Sequence, residues 1–221
     1  MAAVRPPGLR SVVPSLVLLL ALAASGAAIY GVTDGLTAWT LDQRRDTRIA
    51  AGVMRLPAID VRNQQGGRAR WFGADGAGPR IYLVDFVYTR CLTVCRALGA
   101  EFTQLQEQIA RDGLAGRIGL RSLSFDPRDD VPDLAGYARQ HRARLPGWDV
   151  AGPVAPAAMR MLLRDADVLA IADGLGGFEH NGGLHVVDAH GRILAAFPLE
   201  EFRQAYAFAR RQLDGEEGVR P

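Results

Sequence analysis

The chain has 221 residues, 48% hydrophobic and 23% charged, with 12 prolines, the balance of a folded globular protein. Its 26 basic and 24 acidic residues are interleaved and leave a net charge of +2, so no nucleic-acid footprint stands out. All 26 cations are arginine, and the lack of lysine excludes Schiff-base catalysis and a phosphate-loop lysine.

At the N-terminus, Arg5 and Arg10 precede VVPSLVLLLALAASGAAIYGV, an uncharged run of roughly the twenty residues a helix needs to cross a bilayer core. A retained anchor and a cleaved signal peptide both fit. The second would have its h-region at Val12 to Leu20 and its cleavage site at Ala21-Leu22-Ala23. Apolar residues continue through Ile29, Tyr30 and Val32, which favours the anchor, and nothing alternates as in an amphipathic core helix. The next cations are Arg44 and Arg45, so charge bias puts the N-terminus in the cytoplasm and exports the rest. The expected organisation is an anchor over 1–33, a polar tether over 34–55, one domain over 56–214 and a disordered tail over 215–221.

Within the domain, IYLVDFVY (81–88) is a near-continuous apolar run, the mark of a strand buried on both faces. Leu98, Phe102, Leu105 and Ile109 then recur at helical spacing from Cys95 onward. RIGLRSLSF (117–125) predicts a second core strand, and the segment after it a helix with Leu134, Tyr137, Ala138 and His141 on one face. A short strand near Trp148–Val150 and a helix around Ala157–Leu163 follow. GLHVVDAHGRILAAF (183–197) predicts a hairpin, and Phe202, Ala205, Tyr206 and Ala209 mark the inner face of a last helix from about Leu199 to Leu213. Strands alternating with helices make a layered α/β sandwich.

Cys91 and Cys95, the only cysteines, lie in TRCLTVC on the turn from the first core strand into its helix. Four positions apart is a poor spacing for a structural staple, because stabilisation grows with loop length. It suits a redox pair or two metal ligands, and a helix N-terminus is expected to lower a cysteine's pKa. Of the four histidines, His141 reads as packed on a helix face, His185 as core and His190 as a solvated hairpin tip. His180 differs: it sits in GLGGFEHNGG (174–183), whose five glycines are expected to preclude regular structure. Those glycines spell no dinucleotide motif, and no Gly-x-Ser-x-Gly elbow is present.

TRCLTVC after an apolar strand, SFDPRDDVPDLAGYARQH about thirty residues on, and a histidine eight positions before the aspartate of VVDAHG together resemble the SCO/SenC family. The likeness spans Leu56 to Leu213 and implies a membrane-anchored, thioredoxin-like copper chaperone with a central mixed sheet flanked by helices. By position, the implied copper ligands are Cys91, Cys95 and His180, with the two cysteines also forming a redox-active pair. The implied partner is the subunit holding the binuclear copper site of a respiratory cytochrome c oxidase, with a further copper carrier or thiol reductant also allowed. The implied location is the inner (cytoplasmic) membrane, single-pass, with the C-terminal domain on the periplasmic or extracytoplasmic side.

Leu92 and Arg96 stand where the family commonly has prolines, and Glu179 where an aspartate is usual. For Asp126 the simplest role is to cap the next helix. Thiolates select Cu(I), and an added imidazole helps to accommodate Cu(II); three ligands leave a position open for transfer. Glu179 or a backbone carbonyl is the expected partner of the ring's other nitrogen. The competing readings are an exported thiol–disulfide oxidoreductase or peroxidase, in which Cys91 attacks and Cys95 resolves, and a structural disulfide.

Overall fold

The computed structural model describes residues 9–33, 35–36, 38–73, 78–91 and 94–217, so Arg5, Leu92 and the last four residues of the expected tail lie outside it. The chain divides into two units, 1–47 and 48–221. In the first, α1 (Leu9–Val32) contains a 20-residue stretch, Val13–Val32, of mean hydropathy 2.1 with none of it buried. By length and composition it can cross a membrane.

The stretch expected to be a polar tether holds a second helix, α2 (Leu41–Ala50), which buries no residue. Its signal is a capping box rather than an apolar stripe. The Thr40 hydroxyl accepts from the Gln43 amide at 3.1 Å, and the Gln43 side chain accepts from the Thr40 amide at 3.2 Å.

The second unit is built on a seven-stranded mixed sheet of β1 (Ile59–Asn63), β2 (Arg68–Trp71), β3 (Ile81–Val87), β4 (Ile118–Ser124), β5 (Trp148–Pro153), β8 (Leu184–Asp188) and β9 (Ile193–Phe197), in the order β2-β1-β5-β4-β3-β8-β9. Strands β3, β4 and β5 run parallel; β8 pairs antiparallel with β3, and β1 with β5. Every residue of β3 is buried, as its unbroken apolar run predicts. Between strands lie α3 (Val94–Arg111), α4 (Val131–His141) and α5 (Pro156–Asp165), and after a short 3-10 turn at Leu199–Glu201 comes α6 (Phe202–Glu217). Helix α6 packs on β3, β8 and β9, and α4 on β1 and β5. It also runs beyond the boundary expected for the tail. A separate two-stranded ladder, β6 (Ala170–Ala172) with β7 (Phe178–His180), stands outside the large sheet.

Leu98, Phe102, Leu105 and Ile109 are all buried, and the Phe102 ring lies 5.5 Å from that of Trp148. Helices α3 and α4 meet at one place that only glycine permits. A Cβ on Gly99 would lie 2.5 Å from atoms of the His141 ring, which is buried and 4.5 Å from the Tyr137 ring. Burial lowers the His141 pKa, with the Arg96 charge adding to it. His141 is thus a packing residue, as its place on the helix face predicts. We expect Gly99→Ala to destabilise the domain by about 1–2 kcal/mol despite alanine's better helix propensity, because overpacking outweighs that gain. Denaturant unfolding of the variant beside the parent checks this.

Candidate metal centre

Strand β3 delivers the chain to the cysteine turn, and two carboxylates fix that turn from the loop after β4. Asp129 accepts from the Thr89 amide at 2.8 Å and the Thr89 hydroxyl at 2.7 Å. Asp126 accepts from Arg90, the residue before Cys91, at 2.9 Å. Cys91 and Cys95 are not joined in a disulfide, and both are buried. The Cys95 amide donates to the Cys91 sulfur at 3.3 Å, and the Tyr137 hydroxyl donates to the Cys95 carbonyl at 3.0 Å.

His180 comes to the same place. Its Nε2 lies 3.8 Å from the Cys95 sulfur. A first-row ion bonded to one sulfur and one imidazole nitrogen at ~2.3 and ~2.0 Å would separate them by roughly 3.7 Å at a trigonal angle. The ring is held edge-on by aromatic side chains, with centroids 5.3 Å from Phe125 and 6.3 Å from Tyr88. Phe178 completes the wall, 5.2 Å from Phe125 and 5.3 Å from Tyr88. These three aromatics escape a search for ligand types, although Phe178 sits two residues before the histidine and Tyr88 three before Cys91. Burial lowers the His180 pKa and so favours the neutral ring, the form that can bind a metal.

The glycine-rich segment around His180 forms regular structure after all: Ala170 pairs with His180 and Ala172 with Phe178. The reason is Asp173, whose carboxylate accepts from the Leu175 amide at 2.7 Å and the Gly177 amide at 2.9 Å and so closes the turn between the strands. Gly182 is needed on steric grounds, since a Cβ there would fall 2.5 Å from His180 Cε1. Glu179 is exposed on the other side of β7. Nδ1 of His180 is buried with no hydrogen-bond partner among the described residues, so neither Glu179 nor a carbonyl orients the ring; the aromatic wall does.

Two further expectations are corrected. Cys95, in the first turn of α3, has its pKa raised far above the ordinary thiol value, first by burial and then by the Cys91 sulfur beside it, so desolvation overrides the helix terminus. Asp126 does not cap α4; Asp130 does, in a reciprocal box with Asp133. Asp126 is buried, and although burial opposes its charge, hydrogen bonds from Arg128 and Arg90 outweigh that and hold its pKa at about 2.

His185 is buried against Phe86, with Nε2 3.3 Å from the Ala166 carbonyl, and His190 is exposed at the β8–β9 turn. Both agree with the sequence reading. Among the described residues no three His, Cys, Asp or Glu side chains already converge closely enough to hold a metal ion. Cys95 meets His180, and Cys91 meets Cys95 through its amide.

A parallel β3–β4–β5 core continued by antiparallel β8 and β9, with a cysteine pair where β3 enters α3, defines a thioredoxin-like protein. The SCO1/SenC family model matches residues 63–212, and the chain belongs to that family. A SCO1 protein homolog of Bacillus subtilis (strain 168) is 33% identical over 70 residues, a match covering 31% of this chain and 35% of that relative. Among solved structures, Bradyrhizobium japonicum ScoI with copper bound aligns with a TM-score of 0.57 and 21% identity, covering 71% of this chain and 98% of that one. A SCO1/SenC family lipoprotein from Bacillus anthracis str. Ames aligns with a TM-score of 0.59 and 19% identity, covering 71% and 95%. At these identities the likeness is one of fold.

Proposed function

We propose that this chain is a copper carrier that holds the ion between Cys91, Cys95 and His180 and delivers it to the binuclear copper site of a respiratory cytochrome c oxidase, also reducing that site's cysteines beforehand. Helix α1 would keep it in the inner membrane with the domain on the extracytoplasmic side. The observation that carries the reading is the 3.8 Å approach of His180 Nε2 to the Cys95 sulfur, from a hairpin separate from the main sheet. Family membership agrees with it.

Two soft thiolates suit Cu(I), and a neutral imidazole adds the harder donor that Cu(II) needs. Binding must displace the Cys95 proton, which burial holds tightly, so copper uptake releases protons and strengthens as pH rises. Three protein ligands leave a coordination position free, through which an acceptor's ligands can replace these one at a time.

The test is a copper titration of the reduced chain in detergent, followed by absorption. The parent should bind one Cu(I), and His180→Ala should keep Cu(I) more weakly while losing the coloured Cu(II)–thiolate complex. Equal binding of both oxidation states by His180→Ala would remove the histidine from the ligand set. Brisk reduction of insulin or peroxide by the metal-free protein would favour the oxidoreductase reading instead.

A further inference from the structure

We infer that Arg128 is a positioning residue that latches the tip of the β6–β7 hairpin and so sets the reach of His180 toward the cysteines, with Asp126 as the shared anchor. This rests on the copper-site reading above. Arg128 Nη2 donates to the Gly176 carbonyl, in the turn between β6 and β7, at 2.7 Å. The same guanidinium grips Asp126 through Nε at 2.9 Å and Nη2 at 2.8 Å, and its carbon lies 5.8 Å from the Phe178 ring. The Asp126 Oδ2 that takes Arg128 Nη2 also accepts from Arg90, next to Cys91. Both ligand-bearing segments therefore hang on one side chain that is 0% exposed.

The base of the hairpin is held differently. Asn181 accepts from the Leu169 amide at 2.7 Å and donates to the Asp167 carbonyl at 3.0 Å. Near the middle, the Tyr88 hydroxyl reaches the Phe178 carbonyl only at 3.4 Å. The base is thus a fixed hinge, and the Arg128–Gly176 bond holds the tip to the rest of the domain. The Arg128 side chain is 48% exposed, so that bond can open to water without disturbing the core. Opening would free Phe178, part of the aromatic wall beside His180, and so loosen the hold that keeps the ring against Cys95. A charge-assisted bond strengthens the closed form, so the latch favours Cu(II), which needs the imidazole, over Cu(I), which needs it less.

The experiment compares the full chain in detergent with Arg128→Ala and Arg128→Lys, each also in a His180→Ala background. Hydrogen exchange on the copper-free protein is the first readout. Amides of 170–180 should exchange roughly tenfold faster in Arg128→Ala, with β3 and β4 unchanged and Arg128→Lys in between, because the charged bond that ties the hairpin tip to the domain is lost. Cu(II) affinity, read by competition with a Cu(II) chelator, should fall by roughly tenfold, with no further fall when His180 is already alanine. Parent-like exchange over the hairpin overturns the latch whatever copper does. An equal loss of Cu(II) affinity in the His180→Ala background overturns the positioning role. If His180→Ala itself binds Cu(II) like the parent, the proposed ligand set fails, and the exchange data still decide the latch.

Discussion

Cys95→Ser should lower Cu(I) affinity by on the order of 10³-fold, about 4 kcal/mol, because a serine hydroxyl is a hard donor that stays protonated where a thiolate would bond. Cys91→Ser should do the same, and competition against a chromogenic Cu(I) chelator measures both. The two variants should part company in stability. Cys95 is fully buried in the core, whereas Cys91 retains slight exposure. A serine at 95 exchanges a small apolar group for a hydroxyl and should cost about 1–3 kcal/mol, while the cost at 91 should be smaller. Cys95→Ala separates lost ligation from buried polarity: it should bind copper as poorly as Cys95→Ser while unfolding later. If either cysteine can be replaced with Cu(I) affinity intact, the thiolates do not hold the ion; a loss of stability without any loss of copper would instead mark a structural pair.

What could be read from the chain follows what each segment buries. Strands β3 and β4 announce themselves as near-continuous apolar runs, the β8–β9 hairpin as two apolar arms around a turn, and helices α3, α4 and α6 by core residues that recur at helical spacing. Strands β1 and β2 do not, since Arg62, Arg68 and Arg70 occupy most of their outer positions and leave only Ile59, Val61 and Trp71 well buried. Helix α2 buries nothing and is visible only through its Thr40 and Gln43 cap. At the site, the sulfurs and the histidine are legible as residue types, but their surroundings depend on tertiary burial. The helix terminus argues for an acidic Cys95 thiol, yet sequence alone cannot weigh that against complete desolvation. Five glycines argue for an irregular loop around His180, and one well-placed aspartate, Asp173, makes a turn of it. Asp126 has the spacing of a cap, but Asp130 takes that role and frees Asp126 to bind two arginines.

Asp85 is the group that an apolar strand should not contain, and replacing it should change how stability depends on pH. It lies in β3 opposite Ser122 of β4, with none of its surface exposed. Neither carboxylate oxygen has a well-formed hydrogen bond, although the Ser122 hydroxyl, itself a 2.9 Å acceptor for the Trp148 indole, lies close enough to favour the anion somewhat. Burial dominates and pushes the Asp85 pKa up to about 7. A carboxyl whose pKa is higher in the folded state binds its proton more tightly there than when unfolded. Its protonation therefore favours the fold fully below the unfolded value near 4, and that contribution is lost as pH rises through about 7. Asp85→Asn keeps the shape and cannot ionise, so the share of the pH dependence that Asp85 supplies should be missing from its unfolding free energy. The gap between them should grow by about 2–4 kcal/mol from pH 4 to pH 8, in favour of the variant at the upper end. Chemical unfolding of the copper-free protein at a series of pH values measures it, and parallel curves for the two proteins would mean that Asp85 is not a buried acid. An anionic Asp85 also opposes charge on Cys95. The same substitution should therefore lower the pH at which that thiol is alkylated in the Cys91→Ser background, tying the buried acid in the strand to the sulfur in the first turn of the helix that follows.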